Sequence, residues 1–226
     1  MTDTPYLDRH SLDPNLWIYN GYHYNGMPII WQRGPFIYNY LQRIDEAIQG
    51  ALRDHANIIA IRVDLRLPSQ FDWRTPPFER PIFSRFIASL KAKIRRRQAD
   101  TERNGKRFHP TKVHYAWTRE FGRSGKPHYH CVLLLNKQTF RGLGEFNPDS
   151  QSLYGMINSA WASALGMEKT LTNGLVSVPQ KNHTYWLDRS ESYDDLFYRL
   201  SYFAKLESKQ FGLASHNFGT SRVSPH

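Results

Sequence analysis

The segment best equipped for chemistry is REFGRSGKPHYHCVLLLN, residues 119–136. Side chains two apart on a strand share a face, so His128 and His130 point the same way about 7 Å apart. Two neutral imidazoles so placed can hold one divalent cation. Cys131 to Leu135 are apolar on both faces, which makes the strand central, and histidines at the end of such a strand need polar partners. The turn supplies a third ligand. Arg123-Ser124-Gly125 suits a hairpin loop with glycine in the left-handed position. Counting outward pairs Gly122 with Lys126, Phe121 with Pro127 and Glu120 with His128, which brings the last two Cβ atoms to roughly 5 Å on one face. Pro127 cannot donate to the ladder and works against this register. Glu120, His128 and His130 would form a carboxylate-plus-two-imidazole set, open to water and phosphate oxygens and suited to Mg²⁺ or Mn²⁺. The alternative is a pair of structural histidines. A histidine-triad nucleotide hydrolase needs a further alternating histidine where Val132 stands, and a cupin needs a glutamate where Leu133, Leu134 and Leu135 stand.

A second group is YRLSYFAK, residues 198–205. At about 100° per residue, Tyr198, Tyr202 and Lys205 fall within roughly 60° of one another on a helix. Lys209 joins that face, and Leu196, Leu200 and Phe203 cluster opposite. These tyrosines stand on a cationic stripe rather than among apolar residues. A tyrosine hydroxyl can attack a phosphodiester in line and leave a 5′-phosphotyrosine that keeps the bond energy for rejoining. Phenol titrates near pH ~10 and needs activation. Lys205 would lower that value or steady the pentavalent state, while a bound metal polarises the scissile phosphate. The plainer alternative is a pair of tyrosines that pack or stay exposed.

These residues need a scaffold, and the pattern around them describes one. Residues 16–22 and 27–31 read as short strands around a turn at Asn25-Gly26, and residues 35–55 as a helix carrying Ile37, Leu41, Ile44, Ile48 and Leu52. Residues 57–68 read as a strand with Arg62, Asp64 and Arg66 on one face. A Pro-rich loop leads to a helix over residues 78–98, with Ile82, Phe86, Leu90 and Ile94 on its apolar side. Residues 112–121 and 128–136 form the histidine hairpin. Residues 152–165 follow as a helix and 174–179 as a short strand. A last helix spans 192–210, with Ser192 and Asp195 resembling a capping box and Gly212 as its stop. Antiparallel strands with helices packed on them make the fold α+β, a central antiparallel sheet of about five strands. Residues 1–56 read as an N-terminal extension, hairpin plus helix, packed on a main domain of residues 57–212, and 213–226 as a tail.

The chain has 226 residues, 14% of them aromatic, and a formal net charge of +10. A basic, aromatic-rich domain suits nucleic acid, where cations neutralise phosphates and rings stack on bases. A single cysteine, Cys131, excludes an internal disulfide and a multi-cysteine zinc site. No apolar stretch approaches the roughly 20 residues of a membrane span. MTDTPYLDRH lacks the basic-then-apolar pattern of a secretory signal, and a reducing, cytoplasmic location is expected.

Together these residues resemble the HUH endonucleases, specifically replication initiators of rolling-circle phages, plasmids and small DNA viruses, and most of all those of filamentous phages. His128-Tyr129-His130 looks like their histidine-hydrophobic-histidine motif. Glu120 matches the acidic ligand of many viral initiators, and Tyr202-Phe203-Ala204-Lys205 their tyrosine-x-x-lysine motif. Tyr198 resembles the first member of a paired-tyrosine version. The resemblance spans about residues 57–210 and implies a ferredoxin-like sheet with the tyrosine helix packed over the metal. It implies nicking and joining of single-stranded DNA at an origin in a bacterial host cell. The chain holds no GxxxxGK[ST] loop, so unwinding would fall to a host helicase, with a host polymerase extending the nick. Two other functions stay open: a transposase of the same superfamily, and a non-catalytic basic single-strand-binding or regulatory protein.

Further DNA contacts are expected from Arg119, Arg123 and Lys126 beside the metal, from Lys209, and from Arg95, Arg96 and Arg97, unless the last three are a solvated helix end. Trp117 and Tyr115 stack on bases or pack in the core. Asp64 faces the site or pairs with Arg62 or Arg66.

Overall fold

A computed structural model describes residues 7–69, 82–107, 109–122, 125–207, 209–211 and 216–222. The opening strands β1 (Leu7–Arg9), β2 (Trp17–Tyr19), β3 (His23–Tyr24), β4 (Met27–Pro28) and β5 (Phe36–Ile37) are short. β3 and β4 form a hairpin at Asn25-Gly26, whose positive φ angles of 48° and 81° meet the demand of a tight hairpin turn. The strand expected over residues 16–22 is confined to β2, which pairs with β1 and β5 instead of across that turn.

The main body follows in order: α1 (Tyr38–Asp54), β6 (Asn57–Arg66), α2 (Ile82–Arg103), β7 (His114–Phe121), β8 (Pro127–Asn136), α3 (Leu153–Leu165), β9 (Val176–Ser177), β10 (Thr184–Asp188), α4 (Asp194–Ser201) and β11 (Phe218–Thr220). The principal sheet has six strands in the order β10-β6-β8-β7-β11, with β9 also on β6, and every pairing is antiparallel. The fold is therefore mixed α and β around an antiparallel sheet.

Alternation along β6, β7 and β8 separates two cores. Ile59, Ile61, Val63, Cys131 and Leu133 lie under α2 and α3 with Phe86, Leu90 and Trp161. Ala60, Ala116, Val132 and Leu134 lie under α1 and α4 with Ile44, Ile48, Leu200 and Phe203. Both faces of β8 are covered, which explains its continuous apolar run. Each large side chain so buried contributes roughly 1.5–3 kcal/mol of transfer free energy. Ser152 caps α3 by accepting from the Gly155 N–H, and left-handed Gly166 ends it.

Three expectations change. β10 and β11 were not anticipated, and β11 lies inside the stretch expected as a tail. The last helix stops at Ser201 rather than running to residue 210; a 3-10 turn, Tyr202–Ala204, follows. Lys205 then bridges to Phe36, and the Leu206 N–H donates to the Pro35 carbonyl at 2.8 Å, so the chain leaves the helix to pair with β5. Ser192 accepts from the Asp194 N–H at 3.2 Å, but the cap position is Tyr193, which makes no side-chain cap bond, and Gly212 lies outside the described residues. Tyr19, Ile29, Phe36 and α1 share one core with α4. Among the described residues no helix is long and apolar enough to cross a membrane.

Candidate active site

The hairpin forms in the register that the turn requires. Glu120 lies opposite His128 and Phe121 opposite Pro127, and Gly125 takes the left-handed conformation with φ 68°. Glu120, His128 and His130 offer ligand atoms within 4.8 Å of one another. Donors each about 2.1 Å from a shared ion stand roughly 3 to 4 Å apart, so small side-chain adjustments bring this set onto a small divalent cation. The His128 and His130 rings meet edge to face at 4.8 Å. All three residues occupy the sheet face that carries α1 and α4.

Asp64, left open by the sequence, completes the arrangement. It pairs with His130 across β6 and β8, and its Oδ1 lies 2.6 Å from His130 Nδ1. That contact turns Nε2 toward Glu120, whose Oε2 is 3.5 Å away. Metal-binding histidines are commonly oriented by a carboxylate on the other ring nitrogen. Burial disfavours a charged His130, but Asp64 and Glu120 outweigh it and hold the ring above its ordinary value. His128 goes the other way: burial, then the charge of His130, push it down.

Tyr202 arrives from the 3-10 turn with its ring edge-on to His130 at 5.9 Å, while Phe203 stacks on His130 at 6.3 Å. Lys205 Nζ donates to the Tyr202 hydroxyl at 2.6 Å and contacts Glu120 Oε2 at 3.2 Å. Lys209 Nζ holds the other oxygen, Oε1, at 3.2 Å. Glu120 is 3% exposed; burial raises its carboxyl, yet the His130 hydrogen bond and the Lys209 charge override that, and it is held at about 2. Burial lowers the Lys209 ammonium to about 8 against the pull of Glu120. The helix face that reads as a cationic stripe is thus turned inward onto one carboxylate.

The other expected residues divide by sheet face. Lys126 lines a cleft of about 480 Å³ with Arg66 and His128, and its Nζ donates to the Pro68 carbonyl at 3.3 Å. Arg119 alternates with Glu120, so it lies on the opposite face, 4% exposed, and donates to Asn217 Oδ1 at 3.1 Å. Arg95, Arg96 and Arg97 are exposed on α2, which packs on that same opposite face. Lys209 is spent on Glu120 rather than presented to a ligand. Among the described residues, no contact joins the Tyr198 side chain to the three ligands, and Arg123 lies outside the described residues. Trp117 and Tyr115 pack beside Phe83 instead of facing outward. Sequence reasoning passed over Pro35 and Phe36, which place Lys205, and Ser201, whose hydroxyl accepts from the Ile30 N–H at 3.0 Å. These are long-range contacts with no local signature.

A basic antiparallel α/β domain with a carboxylate–imidazole cluster under a lysine-paired tyrosine is what the fold and site define. Its lineage is shown by comparison: the YagK/YfjJ C-terminal domain family matches residues 21–221, and the chain belongs to it. It is similar to the uncharacterized protein YagK of Escherichia coli strain K12, 36% identical over 200 residues, covering 84% of this chain and 95% of the relative. It is also similar to the uncharacterized protein YfjJ of the same strain, 34% identical over 202 residues, covering 84% and 96%. No solved structure matches.

Proposed function

We propose that the protein is a metal-dependent endonuclease and strand transferase that nicks and joins single-stranded DNA through Tyr202, as initiators of rolling-circle replication do. The observation that carries this reading is the Tyr202 ring set edge-on to His130 at 5.9 Å with its hydroxyl on Lys205. Glu120, His128 and His130 would hold Mg²⁺ or Mn²⁺, which when bound draws charge from a non-bridging phosphate oxygen. Tyr202 Oη bonds to phosphorus as the P–O3′ bond breaks, and the phenolic proton ends on the departing 3′ oxygen. A 5′-phosphotyrosine remains, ready for the reverse attack by a 3′-hydroxyl. Lys205 stabilises negative charge on the phenolic oxygen, and Asp64 keeps His130 aimed. The antiparallel sheet, histidines on its central strand and tyrosine segment above them support an HUH-like, ferredoxin-related arrangement. The same reading expects action in the bacterial cytoplasm with a host helicase and polymerase.

A second reading, a non-catalytic single-strand-binding protein, is favoured by the two lysines that already neutralise Glu120. Incubation with a fully randomised single-stranded DNA pool and Mn²⁺ or Mg²⁺ separates the two. We expect an SDS-resistant protein–DNA adduct that chelator and Tyr202→Phe both abolish. DNA retained by the protein with no adduct under either metal overturns the nuclease reading in favour of the second.

A further inference from the structure

Two half-buried guanidiniums near Tyr202 each carry a buried Nε that no acceptor among the described residues meets. Arg62 lies on β6 two residues from Asp64, so it projects from the same sheet face. One terminal nitrogen reaches the Asn182 carbonyl at 3.4 Å, and its backbone N–H donates to the His183 carbonyl at 2.7 Å. Arg199 stands on α4 three residues before Tyr202, on the same side of that segment. The Nε atom of each is buried with no hydrogen-bond partner among the described residues. A buried N–H without an acceptor destabilises a fold, so such groups persist where something outside the chain satisfies them.

The two arginines also sense each other. Burial pushes the Arg62 guanidinium below its ordinary value; Asp64 opposes this, and Arg199 adds to it, with Tyr185 and Tyr202 in the same neighbourhood. The carboxylate that faces Arg62 among the described residues, Asp64, already holds His130 at 2.6 Å. We propose that Arg62 and Arg199 clamp a backbone phosphate of single-stranded DNA next to Tyr202, on the far side of the cluster from the Arg66–Lys126 cleft. Arg62 and Arg66 share one face of β6 about 13 Å apart, with Asp64 between them. A strand laid along β6 therefore meets a guanidinium on each side of the metal cluster. Guanidinium forks suit phosphate oxygens, which accept two parallel N–H bonds. The choice of DNA as the phosphate donor rests on the nuclease reading; the unfilled pair of donors does not.

Binding of a fluorescent oligo-dT strand to the full chain tests this, in chelator and on a Tyr202→Phe background, so that nothing is cleaved. Arg62→Gln and Arg199→Gln should each weaken binding about fivefold or more. The double variant should flatten the slope of log affinity against log salt by about 0.7, the share of one single-strand phosphate. Arg33→Gln, at an exposed position, should change neither quantity. Melting temperatures should hold in the glutamine variants, because each removes a guanidinium whose Nε is buried without a hydrogen-bond partner among the described residues. Unchanged affinity and slope would overturn the clamp, as would a drop in melting temperature with affinity per folded molecule intact. Should glutamine prevent folding, Arg62→Lys and Arg199→Lys decide: retained slope with lost affinity supports the clamp, and unaltered affinity sinks it. A failed adduct assay leaves these results standing, and the reverse holds too.

Discussion

Two histidines on the same sheet face each hold an aspartate, yet they sit in different chemistry. His114 opens β7 and meets Asp54 Oδ2, at the end of α1, at 2.5 Å; His130 near the start of β8 meets Asp64 Oδ1 at 2.6 Å. At the first, the ring is 1% exposed, its other nitrogen faces the Ser221 hydroxyl at 3.4 Å, and Lys112 closes on Asp54 at 2.9 Å. Burial there pushes His114 below its ordinary value, and both ring nitrogens are engaged within the protein. At the second, the other ring nitrogen looks toward Glu120, with His128, Tyr202 and Lys205 around it. An aspartate–histidine pair is thus a strut when its remaining nitrogen meets only a hydroxyl, and part of a larger charged cluster when that nitrogen meets a buried carboxylate.

The comparison can be broken most decisively at the tyrosine. Tyr202→Phe should bring adduct formation to background, while His114→Gln leaves adduct yield per folded molecule unaltered; a lasting adduct in the first variant would end the distinction. Next in size is Glu120→Gln in metal-free protein, which strands Lys205 and Lys209 in a site where all three side chains are at most 6% exposed. Removing one member of a buried ion pair costs about 3–5 kcal/mol, to be read from urea unfolding. His114→Ala should cost about 2 kcal/mol by the same measurement, through a lost hydrogen bond and the space left by a buried ring.

The pH dependence of the strut has a definite sign. His114 titrates lower in the folded chain than unfolded, so between those values the unfolded chain binds more protons. Its contribution to stability is fully present above about pH 6.5 and declines as the pH drops through that value toward the folded one. Unfolding free energies at pH 7 and pH 5 should differ less in His114→Gln than in the unaltered chain; an equal difference removes His114 as the cause. The smallest effect is expected from Lys112→Met. Its side chain is 55% exposed, so losing the Asp54 pair should shift stability by less than about 1 kcal/mol.

Local chemistry made much of this legible. Period-two alternation and a glycine with positive φ dictated the hairpin register, so Glu120, His128 and His130 were recognisable as one cluster before any coordinates. The apolar spacing of α1 and α2 was equally plain, because each buries one face of its helix. Tertiary structure alone decided the rest. Whether the segment after Ser201 stays helical depends on β5, more than a hundred and sixty residues away, and no local propensity encodes that pairing. It also turned Lys209 from an exposed cation into a partner of Glu120, moved Arg119 to the opposite core, and brought Arg62 beside Arg199. Periodicity specifies which side of its own element a residue occupies; only the packing of elements decides what that side meets.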